Sequence, residues 1–328
     1  MGLGMRKQSP GMINSVRNVV VRPNLEGHIL PDLLRIPVGP GAVHVDRYGH
    51  GGPPVVLLHG FGTSSFLWRA VGPALAQAGY AAFAIDLFGH GESDRPLDAD
   101  FGITAQAEYV DRAMTALRVS RAVVVGVDLG GVVALRLAAT RAERVARLVL
   151  VNCGGFEDLP GDDIKALQRN TARFALRVSR GVLGVAPLIV PLLEGGVADP
   201  AHMPQRLVAR YLAPFVGGDG VRHLLALARS IRIDDEDEID LATIATPALV
   251  VWGDADRWLN ERTPERLVST LPDARLERLE GVGRLVPEEA PDRLVQLIIA
   301  AARRREPAEG LAPPSAAQTN AVLEGKID

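Results

Sequence analysis

The chain has 328 residues, enough for one large domain with an inserted subdomain. Its composition, 47% hydrophobic and 23% charged, is that of a soluble globular protein, and a net charge of -3 gives no electrostatic case for binding nucleic acid. The one cysteine, Cys153, excludes an internal disulfide and favours the reducing cytoplasm. The sequence has neither a membrane-length apolar run nor a secretory signal pattern, so we expect no membrane association.

Apolar runs alternate with helical patterns along the first half of the chain. Residues 1–33 have weak periodicity and are predicted to be a partly disordered lead-in. Two short strands follow around the turn at 38–41. Continuous apolar runs are typical of parallel strands that helices bury on both faces. The predicted strands are 54–58, 81–85, 122–127 and 145–151, and the predicted helices are 66–76, 104–117 and 129–139.

The alternation stops between residues 155 and 240, where we find no convincing strand. Helices at 163–178 and 203–211, with Gly and Pro breaks between them, predict a helical cap, and the acidic run at 234–238 is interpreted as a solvated loop. The alternation then resumes, and Thr263 is the predicted N-cap of the next helix. The later strands are predicted at 248–252 and 275–279, and the later helices at 264–270 and 287–302.

This order of elements predicts an α/β fold with a mostly parallel, doubly wound sheet and an inserted helical cap. The predicted core consists of residues 34–154 and 241–305, and the cap of residues 155–240. Residues 306–328 are rich in Pro, Ala, Gly and polar residues and are predicted to be a disordered tail.

The strongest local signal is the turn Gly126-Val127-Asp128-Leu129-Gly130-Gly131, which follows a predicted strand and opens a predicted helix. A sharp turn that lifts a nucleophile above the sheet needs small neighbours, because its backbone is strained. Asp128 holds the central position, where serine is usual, and the nearby helix N-terminus stabilises negative charge. The simpler interpretation is an aspartate that caps the helix.

A second glycine-rich loop, His59-Gly60-Phe61-Gly62-Thr63, follows the first buried strand. One backbone N–H here and one just after the elbow can bind a developing oxyanion, and we assign them to Phe61 and Leu129. We interpret His59 as a structural residue under this loop. The segment 86–94 is interpreted as a turn that glycine and local hydrogen bonds fix.

Together these three segments resemble the α/β-hydrolase superfamily over residues 34–305. An aspartate at the elbow and the stretch 59–69 are similar to the branch of haloalkane dehalogenases and epoxide hydrolases. The resemblance implies that the Asp128 carboxylate attacks carbon and forms an ester. A histidine-activated water then cleaves the ester, and a second acid orients the histidine. It also implies a small-molecule substrate and no cofactor, and no cluster with ligand spacing suggests a metal.

The family's acid follows a late strand, and the matching segment here is Trp252-Gly253-Asp254-Ala255-Asp256. Asp256 matches the family's spacing best, and Asp254 is the alternative. Both can also be ordinary loop carboxylates.

The family's histidine is missing from its expected place after the last strand, where this chain has Arg284. No histidine follows His223, and both His223 and His202 lie in the predicted cap, from which an approach to the site is the less favoured alternative. A guanidinium keeps its proton at ordinary pH, so Arg284 cannot be a general base. It can pair with Asp128 or Asp256, or bind an anionic substrate.

Other departures from the family's sequence pattern weaken the case for particular substrate classes. Leu129 follows the nucleophile where dehalogenases have tryptophan, and Phe61 stands where one subgroup has Asn. None of the tryptophans, at 68, 252 and 258, lies in the cap, which offers only Tyr211 for protonating an epoxide.

Two hypotheses remain from the sequence. The first is a hydrolase of a small apolar ester, epoxide or halide, with Asp128 as nucleophile and Asp256 as acid, impaired in the water-activated step. The second is a non-hydrolytic relative, of lyase, cyclase or ligand-binding type, that uses an Asp128–Arg284 polar site. The Leu, Val, Ala and Ile content of the cap predicts an apolar pocket in either case.

Overall fold

The computed structural model describes residues 17–20, 29–96, 98–154, 164–165, 168, 184–217, 219–232 and 239–304. The predicted tail, the acidic run and most of the predicted helix at 163–178 lie outside the described residues, as does most of the lead-in. Within the lead-in, residues 17–20 form a strand that the sequence pattern does not predict, and it pairs with the next strand.

A nine-stranded sheet forms the centre of the described structure. Its strands are β1 Arg17–Val20, β2 Asp32–Pro37, β3 Ala42–Tyr48, β4 Pro54–Leu58, β5 Ala81–Ile85, β6 Ala122–Val127, β7 Val145–Val151, β8 Ala248–Gly253 and β9 Ala274–Leu279. Their order across the sheet is β1-β2-β3-β5-β4-β6-β7-β8-β9. The pairings from β1 through β3 to β5 are antiparallel, and all others are parallel.

Helices cover the sheet, and a helical stretch separates β7 from β8. The α-helices are α1 Val71–Gln77, α2 Ile103–Ala116, α3 Leu129–Thr140, α4 Ala186–Gly195, α5 Gln205–Leu212, α6 Gly220–Ser230, α7 Thr263–Thr270, α8 Val286–Glu289 and α9 Pro291–Arg303. None of the helices in the described ranges is both long and apolar enough to span a bilayer.

The predicted mostly parallel α/β sheet is confirmed, and burial explains why its strands could be recognised. Every residue of β5, β6 and β8 is buried, as is most of β4 and β7. Strands covered on both faces need apolar side chains at every position, which gives continuous apolar runs instead of alternation. The predicted bounds of β4 to β7 agree with the structure.

Two predicted helices are each divided in the structure. The predicted helix 287–302 is two helices, α8 and α9, that meet at Ala290, which has an extended φ of -135°. Ala290 precedes Pro291, and a residue before proline is pushed out of the helical region. The predicted helix 66–76 begins as a 3-10 turn, Ser65–Trp68, before α1. Thr263 is the first residue of α7 and not its N-cap.

The sheet order places five strands, β4 and β6 to β9, side by side, and the sequence-predicted site lies at their carboxyl ends. Leu58 of β4 pairs with Gly126 of β6, so the loop after β4 lies beside the elbow. Strands β7, β8 and β9 follow in order on the other side of β6. Ligand sites of open α/β sheets lie in this position, outside the carboxyl ends of the strands.

On the antiparallel side of the sheet, His44 of β3 forms a buried pair with Asp46. Nε2 of His44 lies 2.9 Å from Oδ1 of Asp46. Burial works to lower the pKa of His44, but the hydrogen bond from Asp46 and the charge of Asp86 outweigh it, and the pKa is raised above 6.5. The charged pair therefore stabilises the folded state fully below the unfolded pKa, and this stabilisation is lost as the pH rises through the folded pKa.

We expect His44→Gln to lower the melting temperature most below about pH 6.5, the ordinary pKa of histidine, and progressively less at alkaline pH. Thermal unfolding followed by circular dichroism over a pH series measures this. The control is His50→Gln: Nε2 of His50 lies 3.6 Å from Oδ2 of Asp32, but the His50 side chain is 73% exposed, and an exposed ion pair contributes little to stability, so its effect should be smaller. If the difference in melting temperature between His44→Gln and the unsubstituted protein stayed constant with pH, a charged His44–Asp46 pair would be contradicted.

Candidate active site

Asp128 lies at the elbow between β6 and α3 in a strained backbone conformation, with φ 51° and ψ -121°. Close packing leaves no room for side chains beside it: a Cβ on Gly126 would lie 2.3 Å from the carbonyl oxygen of Gly130, and a Cβ on Gly130 would lie 2.4 Å from that of Leu58. Such strain persists only where surrounding contacts fix it. The Asp128 side chain makes no capping hydrogen bond to α3, so the simpler helix-cap interpretation does not hold.

The loop after β4 contacts the Asp128 carboxylate directly. The Phe61 N–H donates a 3.0 Å hydrogen bond to Oδ2 of Asp128. A Cβ on Gly60 would lie 2.9 Å from the same oxygen, so glycine is required for this approach. Leu129, the other predicted donor, is the buried first residue of α3. The two segments thus surround a carboxylate that is itself 6% exposed.

Asp256 is fixed by hydrogen bonds at the carboxyl end of β8. Its Oδ2 accepts from the side-chain amide of Asn152 at 2.9 Å, and its Oδ1 accepts from the N–H groups of Trp258 and Leu259 at 2.8 and 3.3 Å. Asp254 is used differently, because its Oδ1 accepts from the N–H of Gly281 at 2.7 Å in the next loop. Of the two candidate acids, Asp256 is the one whose carboxylate lies near Arg284.

Arg284 lies between the two carboxylates. Its Nη1 is 3.5 Å from Oδ1 of Asp128, and its Nε is 3.8 Å from Oδ2 of Asp256. All three side chains are nearly inaccessible, with Arg284 7% exposed. The guanidinium also lies 5.9 Å from the ring centre of Trp258. Arg284 therefore bridges the two residues that the sequence predicts as nucleophile and acid.

The loop that carries Arg284 is tied to the helical stretch by backbone contacts on both sides of the arginine. The N–H of Gly283 donates to Oε2 of Glu289 at 2.6 Å, and the N–H of Leu285 donates to the carbonyl oxygen of Gly196 at 2.8 Å. Oε1 of Glu289 accepts from the N–H groups of Ala198 and Asp199. Arg284 is thus held in a fixed position.

Sequence reasoning missed three residues that hold this site, namely Asn152, Glu288 and Glu289. Asn152 directly follows β7 and is fully buried, and its amide joins Gly253 to Asp256. The glutamates look like exposed charges at the start of a helix, where acidic residues are common. A possible signal for Asn152 was an isolated amide directly after the apolar run that ends β7.

Glu288 links the core to helix α5. Its carboxylate forms a bidentate ion pair with Arg69, at 2.7 and 2.6 Å, and accepts a hydrogen bond from the Tyr211 hydroxyl. Burial, with the charge of Glu288, raises the pKa of Tyr211 well above its ordinary value. Tyr211, the predicted cap tyrosine, therefore has its hydroxyl engaged with Glu288.

Tyr211→Phe is expected to lower the free energy of unfolding by about 1.5–3 kcal/mol, the range for a hydrogen bond to a charged group. The buried carboxylate of Glu288 would lose one donor while the packing of the ring is kept. Urea unfolding measures the change. The matched control is Tyr80→Phe, because the Tyr80 hydroxyl has no hydrogen bond within the described part of the chain. Equal decreases in the free energy of unfolding for the two variants would argue against the hydrogen bond from Tyr211 to Glu288.

Among the histidines that the structure describes, none occupies the position of a general base for Asp128. His59 accepts from the N–H of Leu87 at Nε2 and contacts the carbonyl oxygen of Gly60 through Nδ1, so it supports the loop as predicted, and burial lowers its pKa. Nε2 of His223 bonds to the carbonyl oxygen of Gly89, and burial lowers its pKa too. His202 lies 3.7 Å from Glu289.

Apolar side chains of α4 lie over the loop beside Asp128. A Cβ on Gly62 would lie 3.2 Å from Leu192 and 3.4 Å from Ile189. A separate cavity of about 640 Å³ lies on the antiparallel side of the sheet, near His44 and Phe66, and neither Asp128 nor Arg284 lines it. Within the described ranges, no three His, Cys, Asp or Glu side chains converge as metal ligands.

Known proteins resemble this chain in sequence. A family model described as the alpha/beta hydrolase fold matches residues 53–186. A haloalkane dehalogenase of Mycobacterium marinum is 30% identical over 241 residues, which cover 70% of this chain and 77% of that protein. A 2-hydroxy-6-oxononadienedioate/2-hydroxy-6-oxononatrienedioate hydrolase of Burkholderia vietnamiensis is 29% identical over 275 residues, covering 80% and 91%.

The fold has counterparts among solved structures. The epoxide hydrolase CorEH matches with a TM-score of 0.71 at 21% identity, over 82% of this chain and 97% of that one. At this identity the match shows the fold alone, and it agrees with the sequence relatives. The chain therefore belongs to the α/β-hydrolase superfamily, and the hydrolases among its relatives support the prediction that it is a hydrolase.

Proposed function

We propose that the protein is a hydrolase that attacks a small, apolar substrate at carbon with Oδ1 of Asp128. The observation that carries this proposal is the 3.0 Å hydrogen bond from the Phe61 N–H to Oδ2 of Asp128. In an aspartyl ester, the carbonyl oxygen that turns into an oxyanion when water adds belongs to the aspartate itself. A donor already placed on Oδ2 stabilises that charge, which leaves Oδ1 as the attacking atom.

In the proposed first step, Oδ1 forms a bond to the substrate carbon, and the leaving group departs with the electron pair of the broken bond. Water then adds to Cγ of Asp128, and collapse of the adduct releases the alcohol and restores the carboxylate. Arg284 affects both steps. In the first step, its positive charge 3.5 Å from Oδ1 holds electron density on the carboxylate and so weakens the nucleophile. In the second step, a guanidinium cannot take the proton from water. The ester should therefore form and then hydrolyse slowly.

In this proposal Asp256 orients Arg284 as it would orient a histidine. Residues 155–240 act as a cap over the site, and its described part supplies Ile189 and Leu192 above Gly62. Apolar side chains at this point favour an apolar substrate. Alkyl halides fit this chemistry directly. An epoxide fits with its ring oxygen as a leaving group that stays attached, takes a proton from solvent and gives a diol, and an ester fits where attack on its alkyl carbon expels the carboxylate.

Intact-protein mass spectrometry tests the proposal. After incubation with small alkyl halides, epoxides and esters, we expect a covalent adduct that peptide mapping locates on Asp128 and that persists because the second step is slow. Asp128→Asn is the control and should give no adduct. Turnover that survives Asp128→Asn would show that another group carries the reaction.

A second candidate function is favoured by the ion pairs of Arg284 with Asp128 and Asp256. A carboxylate paired with a fixed guanidinium is a weaker nucleophile, and the pair would serve as the polar anchor of a ligand-binding or non-hydrolytic relative. Saturable binding of small molecules without any adduct or turnover would favour this candidate over the hydrolase.

A further inference from the structure

Arg284 is a buried cation whose hydrogen-bonding capacity the described residues do not fully use. Its separations of 3.5 Å from Asp128 and 3.8 Å from Asp256 are ion-pair distances, and neither is a well-formed hydrogen bond. Its buried Nε has no hydrogen-bond partner among the described residues. Unmet donors of a buried group are costly, so such a group in a native site calls for an explanation.

The two neighbouring carboxylates are held by other donors. Phe61 binds Oδ2 of Asp128, and Asn152, Trp258 and Leu259 bind the two oxygens of Asp256. The backbone N–H groups on both sides of Arg284, those of Gly283 and Leu285, are bonded to Glu289 and Gly196, which fixes the backbone from which the side chain extends. N–H groups of the guanidinium that meet no partner among the described residues can therefore bind a ligand.

The local charges decide what kind of oxygen suits this guanidinium. One positive charge already lies between two carboxylates, so a further full negative charge would be repelled in a site that excludes water. A neutral carbonyl oxygen carries no such cost and accepts hydrogen bonds from N–H donors. This argument selects against the anionic substrate that the sequence alone leaves open.

We infer that Arg284 binds a neutral carbonyl oxygen of the substrate, next to the carbon that Asp128 attacks. The inference rests on the proposed function. Nη1 is 3.5 Å from Oδ1, and a reacting carbon approaches its nucleophile to about 3–3.5 Å. These distances allow one small molecule to place an oxygen on Nη1 and a carbon on Oδ1 that are two bonds apart, as in a carbonyl oxygen and the carbon next to the carbonyl group. The substrate class is an α-substituted ketone, amide or ester.

The first step balances for this class. Oδ1 of Asp128 forms a bond to the carbon next to the carbonyl, and the substituent on that carbon leaves with the bonding electron pair. The carbonyl group is unchanged throughout, and no oxidant or reductant is needed. Hydrogen bonds from Arg284 draw electrons from the carbonyl and so favour attack at the neighbouring carbon.

Three small chlorides of similar size test the inference: chloroacetone, methallyl chloride and chloroacetate. Methallyl chloride replaces the carbonyl oxygen with CH₂, and chloroacetate is anionic. The rate of adduct formation on Asp128 is measured for the full chain and for Arg284→Met. We expect chloroacetone to react at least ten times more slowly with Arg284→Met, while methallyl chloride is affected less than threefold. Comparing each probe across the two proteins cancels its intrinsic reactivity.

Binding is measured separately with Asp128→Asn, which cannot form the ester. Saturation-transfer NMR should show tighter binding of chloroacetone than of methallyl chloride, and this measurement does not need Arg284→Met to fold. Equal binding of the two would overturn the inference, as would a chloroacetate reaction that depends on Arg284 more strongly than that of chloroacetone. Selective binding without any adduct on Asp128 would support the carbonyl site while the proposed nucleophilic function fails.

Discussion

Arg284→His is expected to raise the hydrolytic turnover of any substrate that labels Asp128 by about 10²–10⁴-fold, the usual contribution of a general base. The reason is that residue 284 lies between Asp128 and Asp256. Nη1 of Arg284 is 3.5 Å from Oδ1 of Asp128, and its Nε is 3.8 Å from Oδ2 of Asp256. An imidazole there can accept a proton from water while Asp256 holds its other ring nitrogen. Steady-state release of alcohol or halide measures the gain, and the adduct on Asp128 should disappear from the mass spectrum.

Two further variants make this result interpretable. Arg284→Gln removes the charge without supplying a base, so it should not speed hydrolysis of the ester. Asp128→Asn in the Arg284→His background should abolish the gained activity. If Arg284→Gln increased turnover as much as Arg284→His, the benefit would come from removing the positive charge, and the missing base would not explain the slow second step.

Gly130→Ala is expected to destabilise the fold by at least about 3 kcal/mol, the upper end of the range for overpacking a core. A Cβ at this position would lie 2.4 Å from the carbonyl oxygen of Leu58 and 2.6 Å from that of His59. Both neighbours are backbone atoms of the loop that reaches Asp128, so relief requires α3 or the end of β4 to move. Any protein that still folds should show less adduct on Asp128.

Thermal unfolding measures this loss, which should lower the melting temperature by roughly 6 °C or more, at about 2–4 °C per kcal/mol for a large domain. Gly51→Ala is the matched control, because a Cβ at Gly51 meets no atom within 4 Å. Equal melting temperatures for the two variants would mean that the elbow tolerates a side chain and that the close packing of Gly130 is not essential.

The central strands and the elbow could be predicted because their physical requirements are local. A strand buried on both faces must be apolar throughout, and the segments that form β4 to β8 carry that pattern. The turn around Asp128 needs glycines at fixed positions, and these are visible as Gly126 and Gly130. The division of the last helix was also encoded, by Pro291, but the continuous apolar pattern hid it.

The surroundings of Arg284 could not be predicted in this way. Asn152 lies 104 residues from Asp256 in sequence. Glu288 and Glu289 closely follow Arg284, but their roles depend on distant partners, the side chains of Arg69 and Tyr211 and the N–H of Ala198. Helix α5 meets Glu288 through Tyr211, a contact across 77 residues of chain. Such long-range contacts arise only when the helical stretch packs on the core.

By itself, the sequence determined the α/β fold, the glycine-flanked turn with Asp128, and the presence of Arg284 after the last strand, because each is written in composition, spacing or residue identity. The tertiary structure alone decided that Asp256 and not Asp254 faces Arg284, and that Phe61 donates to Oδ2 of Asp128. It also left the guanidinium with ion pairs but no close hydrogen bond to either carboxylate. The site residues lie on loops that follow different strands. The distances between them depend on sheet order and loop packing, which no local pattern specifies.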